Sequence, residues 1–220
     1  MLPSPFYLLV ASIPVLGYLG VIAVVRVSGR ALVTTGGRDV AAIGVAISGL
    51  VAIGPLELFF PSTAAAFFGP MIWVWLAAFY VLCVTLASLT APPRLVVYGR
   101  TAEDLYLPLI RAARRLDPDA DGDPGNLQVS LPRLKVRLRI DGHRGVDHAE
   151  VEAFERRYPP RFWSRLLGLV REEVASGPRT SPRRGLVMLL LTVVLASLLV
   201  WRGIDQQALV VQEFRQWLWR

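Results

Sequence analysis

Apolar and polar positions fall into long blocks along this chain. Apolar runs cover roughly 6–27, 40–60, 64–89 and 185–201, and a charged stretch from Arg94 to Arg184 separates the third run from the fourth. Each run is close to the ~20 apolar residues a helix needs to cross a bilayer. The pattern therefore predicts four transmembrane helices. The first is expected to remain as a permanent helix, because no Lys or Arg precedes it and it exceeds signal-core length. The fourth, Gly185–Trp201, is short, about 25 Å at 1.5 Å per residue. Arg183, Arg184 and Arg202 flank it and can snorkel to headgroups. Asp205 is placed to cap a final helix whose apolar face is Val210, Phe214, Trp217 and Leu218. That spacing suits a helix lying in the lipid interface; a docking surface for another protein's helix is the alternative.

The charged stretch has its own periodicities. Arg94–Gly99 reads as a strand, and Thr101 as the N-cap of a helix with Glu103 and Asp104 in its first turn. Leu105, Leu109, Ala112 and Leu116 form that helix's buried stripe. Leu127–Leu131 is a second strand, ended by Pro132. Leu134–Ile140 alternates most clearly: Leu134, Val136, Leu138 and Ile140 on one face, Arg133, Lys135, Arg137 and Arg139 on the other. Ala149–Ala153 alternates with the opposite charge, so a hairpin would set Glu150 and Glu152 among those cations. A helix over Ala149–Arg157 is the alternative. Pro159-Pro160 opens a last helix with Trp163, Leu167, Val170 and Val174 on one side. The fold class is thus membrane α-helical, with four transmembrane helices and an inserted small α+β domain of β-α-β-β-β-α order. The expected division is a three-helix region over 1–92, the α+β domain over 93–178, the fourth helix over 179–203 and an amphipathic interfacial helix over 204–220.

A hydrophobic fraction of 54% is too high for an ordinary soluble domain. Charge then sets the threading. The link between helices one and two holds Arg26, Arg30 and Arg38, and the stretch from Arg94 to Arg184 holds 18 Lys+Arg. The positive-inside rule puts these 21 cations in the cytoplasm and only Arg202, Arg215 and Arg220 outside. The expectation is a bacterial inner-membrane protein with both termini outside and residues 93–184 cytoplasmic. Lone Cys83, within the third run, can build no disulfide framework. Arginine supplies every cation except Lys135, in keeping with GC-rich codon usage.

Candidate chemistry is sparse. Glu57 is the one acid inside an apolar run, about one turn from its outer end at Pro61; an interfacial carboxylate is the plain reading, a proton or ion role the alternative. Gly44, Ser48 and Ala52, with Gly49 and Ala41 beside them, form a small-residue ridge for packing on helix one or three, or on a second copy. Gly54-Pro55 should bend or end that helix. Thr34-Thr35-Gly36-Gly37-Arg38 reads as a tight turn with Thr35 or Asp39 capping helix two; an anion loop is the alternative.

Asp117, Asp119, Asp121 and Asp123, with Gly122, match the opening of a calcium loop. Pro124 and Gln128 then occupy positions where that loop wants a hydrophobe and a bidentate Glu, so an acidic surface turn is the default. The stretch Asp141-Gly-His143-Arg-Gly-Val-Asp147-His148 faintly resembles the His-x-His-x-Asp-His zinc motif of metallo-hydrolases, with Gly145 in place of one ligand. No metal or other cofactor is expected. Arg133, Lys135, Arg137 and Arg139 offer a face for a partner or for anionic lipid. Nucleic acid is not expected: against 18 cations the insert sets 13 acids, and no recognition motif accompanies them.

Three segments, Ser28–Arg38, Ile47–Pro61 (ISGLVAIGPLELFFP) and Leu95-Val-Val-Tyr98, together resemble a family of multipass membrane proteins of GC-rich bacteria with no assigned function. That resemblance supports a strand at Ala149–Ala153 and implies no activity. The expected function is a non-enzymatic membrane anchor for a cytoplasmic interaction or regulatory domain, with the bilayer and a protein partner or a homo-oligomer as its contacts. A small oligomeric transporter or channel component built around Glu57 is the first alternative, and a metal-dependent enzyme using Asp141–His148 the second.

Overall fold

The computed structural model describes residues 4–54, 69, 71–143, 145–155, 158–177 and 183–218. Among them are α1 (Pro5–Val27), β1 (Leu32–Thr35), α2 (Gly36–Ile53), α3 (Met71–Thr90), β2 (Arg94–Tyr98), α4 (Ala102–Leu116), β3 (Asp121–Asp123), β4 (Gln128–Leu131), β5 (Val136–Asp141), β6 (His148–Ala153), α5 (Pro160–Ser176), α6 (Arg183–Asp205) and α7 (Gln207–Leu218). The chain forms two compact units, one of residues 1–21, 40–89 and 187–220, the other of 22–39 and 90–186. Four helices, α1, α2, α3 and α6, are long and apolar enough to cross a membrane.

In the first unit glycines set the helix approaches. Pro14 carries no N–H, so the Val10 carbonyl of α1 lacks its usual i+4 donor. Gly49 of α2 lies against that same carbonyl so closely that a Cβ would overlap it. On another side of α2, Gly44 faces Val84 of α3, where a Cβ would come within 2.6 Å of a Val84 methyl. The Tyr80 hydroxyl donates to the Gly44 carbonyl at 2.6 Å. The expected ridge is therefore split: Gly49 serves α1 and Gly44 serves α3.

Helix α7 packs within this unit. Nothing acidic lies in the first turn of α1, and the free Phe6 N–H there donates to Glu213 of α7 at 3.3 Å. Phe6 also meets Phe214 and Trp217 at centroid distances of 5.9 and 5.8 Å, and Trp217 stacks on Trp73 at 3.7 Å. Phe214 and Trp217 of the expected apolar face thus pack on this chain's own aromatics.

The second unit is a six-stranded antiparallel sheet in the order β1-β2-β6-β5-β4-β3. Helices α4 and α5 cover one face. Leu105, Leu109 and Ala112 from α4, with Trp163, Leu166 and Val170 from α5, pack on Leu95, Val97, Val129, Leu138 and Val151. The caps follow the sequence: Thr101 accepts from the Asp104 N–H at 3.2 Å, and Pro160 opens α5 behind Pro159.

Several expected bounds change. The β-α-β-β-β-α order gains β3 within the insert and β1 from the link between α1 and α2. Helix α2 starts at Gly36 rather than Val40, and the Thr35 hydroxyl caps it by accepting from the Arg38 N–H at 3.5 Å. Helix α6 runs for 23 residues, so Asp205 ends it instead of capping α7. Residues Ala149–Ala153 belong to β6, and the helical alternative is set aside. Strand β5 begins at Val136, because Lys135 has φ 54° and sits in the turn after β4. Arg133 and Lys135 therefore leave the strand face on which they were expected. Glu57, Pro55 and the 64–68 part of the third apolar run lie outside the described residues.

Gly49→Ala should lower stability by about 1–3 kcal/mol, since the new methyl must push α2 off α1. Gly17→Ala, whose Cβ would meet nothing within 4 Å, should be neutral or stabilising by up to about 1 kcal/mol. Thermal unfolding of both in detergent checks this, and equal losses would contradict the close approach.

Candidate interaction face

Antiparallel registry turns alternating residues of β1 to β6 into polar rows on the face opposite α4 and α5. Arg94 pairs in register with Glu152, Glu152 with Arg139, and Arg139 with Gln128. One row over, Val96 is opposite Glu150, and Glu150 opposite Asp141. Two carboxylates directly across from one another repel. Arg94 relieves this, reaching Glu150 at 2.8 Å and Glu152 at 3.7 Å. On the other flank Arg139 Nε meets Asp141 at 2.9 Å. The register-setting glutamates thus find their closest cation in Arg94, a residue that alternation in β5 could not reveal.

Burial divides this face. At the β2 end Val96 is fully buried. The Tyr98 hydroxyl donates to buried Asp39 at 2.6 Å, and the Tyr98 ring lies 5.1 Å from that of His148. Gly36 admits the Arg94 stem: a Cβ there would lie 2.6 Å from Arg94 Cγ. Side chains of Arg94 and Glu150 are 26% and 22% exposed, against 65% for Arg137 and 48% for Arg139. The face opens over β5, β4 and β3, where Asp121, Asp123, Gln128, Ser130 and Arg137 line a hollow of about 170 Å³.

The expected cations fare differently. Arg137 and Arg139 stand on the open face, Arg137 pairing with Glu155 at 3.6 Å and lying 5.3 Å from the Phe154 ring centroid. Arg133, displaced into the turn, binds Asp119 at 2.6 Å. Lys135 sits in that turn with its carbonyl accepting from the Tyr158 hydroxyl.

The four aspartates considered for calcium are drawn apart. Asp117 is buried and accepts the N–H groups of Asp119 and Arg133 at 3.0 and 2.8 Å, tying the end of α4 to the β4–β5 turn. Asp121 and Asp123 stand on β3, and Asp123 accepts from Asn126 Nδ2 at 2.6 Å and the Gly125 N–H at 2.9 Å. His143 is an exposed loop residue, and His148 lies in β6 with Nε2 3.8 Å from Glu150. Among the described residues no three His, Cys, Asp or Glu side chains converge as a metal site would require.

Hydrogen bonds shift two of these carboxyls. The Arg133 guanidinium holds Asp119 below its ordinary value. The Asn126 side chain, with the Gly125 and Asn126 amides, does the same for Asp123. Searches among protein families, characterised proteins and solved structures find no match to this chain.

Arg94→Gln should destabilise by about 1–3 kcal/mol, because it leaves half-buried Glu150 facing Asp141 without a cation. Arg137→Gln should cost no more than about 1 kcal/mol, as exposed ion pairs do. Chemical unfolding measures both, and equal effects would refute the division of the face. Because Asp119 and Asp123 titrate lower in the fold than in the unfolded chain, their contribution is complete above about pH 4 and fades as pH falls through the folded values. Hydrogen exchange should show the Gly125 and Asn126 amides, which donate to Asp123, losing protection first over that acid range.

Proposed function

We propose that this chain is a non-enzymatic integral membrane protein of the bacterial inner membrane. Its four apolar helices anchor a cytoplasmic sheet domain that meets a protein partner through the open face over β3–β5. The membrane reading is supported by apolar surface: Trp75, Leu82, Leu190 and Trp201 are all more than 60% exposed, which water would not tolerate over so many neighbouring residues. The orientation is supported by β1 pairing with β2. That pairing puts the arginines of the first link in one compact unit with the insert, as a shared cytoplasmic side requires.

The observation that carries the partner reading is the paired state of the cations. On the open face Arg137 and Arg139 each meet an acid, so it presents alternating charges rather than a positive field. Anionic lipid rewards net positive charge, whereas a protein surface can match alternating signs and gain specificity from the match. Rows held by a hydrogen-bonded sheet are also ordered in advance, which lowers the entropic cost of association.

A photocrosslinker at Gln128 in native membranes should capture a reproducible neighbour, and one at Arg165 on α5 should not. Arg137→Glu with Arg139→Glu should abolish the adduct. No adduct from the open face, or one that survives charge reversal, defeats the partner reading. A reporter inserted at Asn126 should be active in the cytoplasm only; periplasmic activity would overturn the orientation.

A further inference from the structure

Helices α1 and α6 run antiparallel, and within the first unit they touch where Leu9 packs on Gly203 and where Thr192 packs on Gly20. Between those contacts they part around a groove of about 460 Å³, which Leu50 of α2 also lines. Leu16 and Leu19 of α1 and Leu195 and Leu199 of α6 make its walls apolar. The distance between the two contacts is roughly 16 Å at 1.5 Å per residue. Polarity is confined to one end, where Ser12 and Arg202 stand beside the Leu9–Gly203 contact. Arg202 is the only charge in the lining, and its Nε–H is shielded from solvent and meets no acceptor among the described residues. A shielded guanidinium N–H without a partner is costly, and it is relieved best by an anionic oxygen. Leu50, Leu195 and Leu198 remain about half exposed, so the groove opens sideways.

We infer that this groove is a binding site for an anionic phospholipid, with one acyl chain along the leucines and the phosphate on Arg202. The class of ligand follows from the distribution of polarity. A wholly apolar occupant would leave the guanidinium unmatched, and a small polar one would gain nothing from a wall of leucine. The sideways opening selects a lipid already in the bilayer, with its headgroup at the level of Arg202. Both headgroups carry the phosphate oxygens that Arg202 would take, but the quaternary ammonium of phosphatidylcholine offsets that charge and repels the guanidinium, so phosphatidylglycerol should be held in preference to phosphatidylcholine. The Ser12 hydroxyl is a second donor at the same level.

The inference rests on the membrane reading above, and one experiment separates the two. Membranes carrying the full chain are first washed with alkaline carbonate; the protein should stay in the pellet, and its release would defeat both proposals. The protein is then purified in mild detergent, mixed with vesicles of equal parts phosphatidylglycerol and phosphatidylcholine, and examined by native mass spectrometry. A single bound phosphatidylglycerol is expected. Arg202→Gln should lower its occupancy about tenfold and leave the residual phosphatidylcholine unchanged. Arg202→Lys, which keeps the charge, should retain an intermediate occupancy, and monodispersity on gel filtration shows that each variant folds. Leu16→Trp, which fills the groove, should displace both lipids. Carbonate-resistant protein that holds both lipids equally, or whose phosphatidylglycerol survives Arg202→Gln, overturns the inference and leaves the membrane reading standing. A lipid-free dimer would assign the groove to a second copy and likewise overturn it.

Discussion

The fold of the sheet unit depends on the ladder between β1 and β2. Leu32 to Thr35 pair with Tyr98 to Leu95, joining the link between two apolar helices to a strand that follows a third. Without that ladder, residues 28–35 would be a loop, and β2, paired with β6 alone, would be the edge of the sheet. With it, Val33 joins the core beside Leu95 and Val97, and the start of α2 comes to lie where Asp39 can take the Tyr98 hydroxyl. A hydrogen bond of this kind at a helix start is directional, so it fixes the path of the chain as it leaves the strand.

Legibility in the sequence followed the strength of periodicity. Helices α4 and α5 were plain from their 3.6-residue stripes and from Thr101 and Pro160, because these signals are local. Strand β5 was plain from its alternation; at β6 the alternation of opposite charge left a helix open as well, because Ala, Glu and Arg also favour helices. Strands β1 and β3 were not plain. Leu32-Val33-Thr34-Thr35 is four residues long and ends in Gly36-Gly37, which reads as turn chemistry, and Asp121-Gly122-Asp123 is too polar and short to signal a strand. Both exist through long-range pairing, which no window of sequence contains. The same limit applied to the polar face. Alternation placed Arg137, Arg139, Glu150 and Glu152 on one side, yet the cation that balances Glu150 comes from β2, two positions after Pro92 and far away in sequence. Lys135 defeated the alternation outright, since a residue at φ 54° interrupts the strand and reverses the parity of everything before it.

Helix ends show a second constraint at work. An apolar helix cannot leave its first amides bare in an apolar surround. In α1 the solution is remote: Glu213, more than two hundred residues away, receives the Phe6 N–H, and the Phe214 and Trp217 rings settle on Phe6. In α2 it is local, with Thr35 as cap and Asp39 in the first turn. This explains why the amphipathic face of α7 was readable while its target was not. Spacing reports that a face is apolar, and says nothing of what will cover it.

The sheet's edges decide how a partner of the kind proposed can approach. Adding a strand requires an edge with free carbonyls and amides. At the β1 edge, Arg171 of α5 donates Nε–H and Nη–H to the Val33 carbonyl at 3.1 and 2.9 Å, placing a charged side chain on the edge strand itself. At the other edge, β3 is three residues long and carries two aspartates. Both are devices that discourage edge pairing, one by occupation and one by brevity and charge. With the two edges guarded and one face filled by α4 and α5, the open rows of β3, β4 and β5 are the surface the sheet has left to offer. Recognition there must be by side chains in register, so it should be sensitive to the order of charges along the rows and indifferent to their sum.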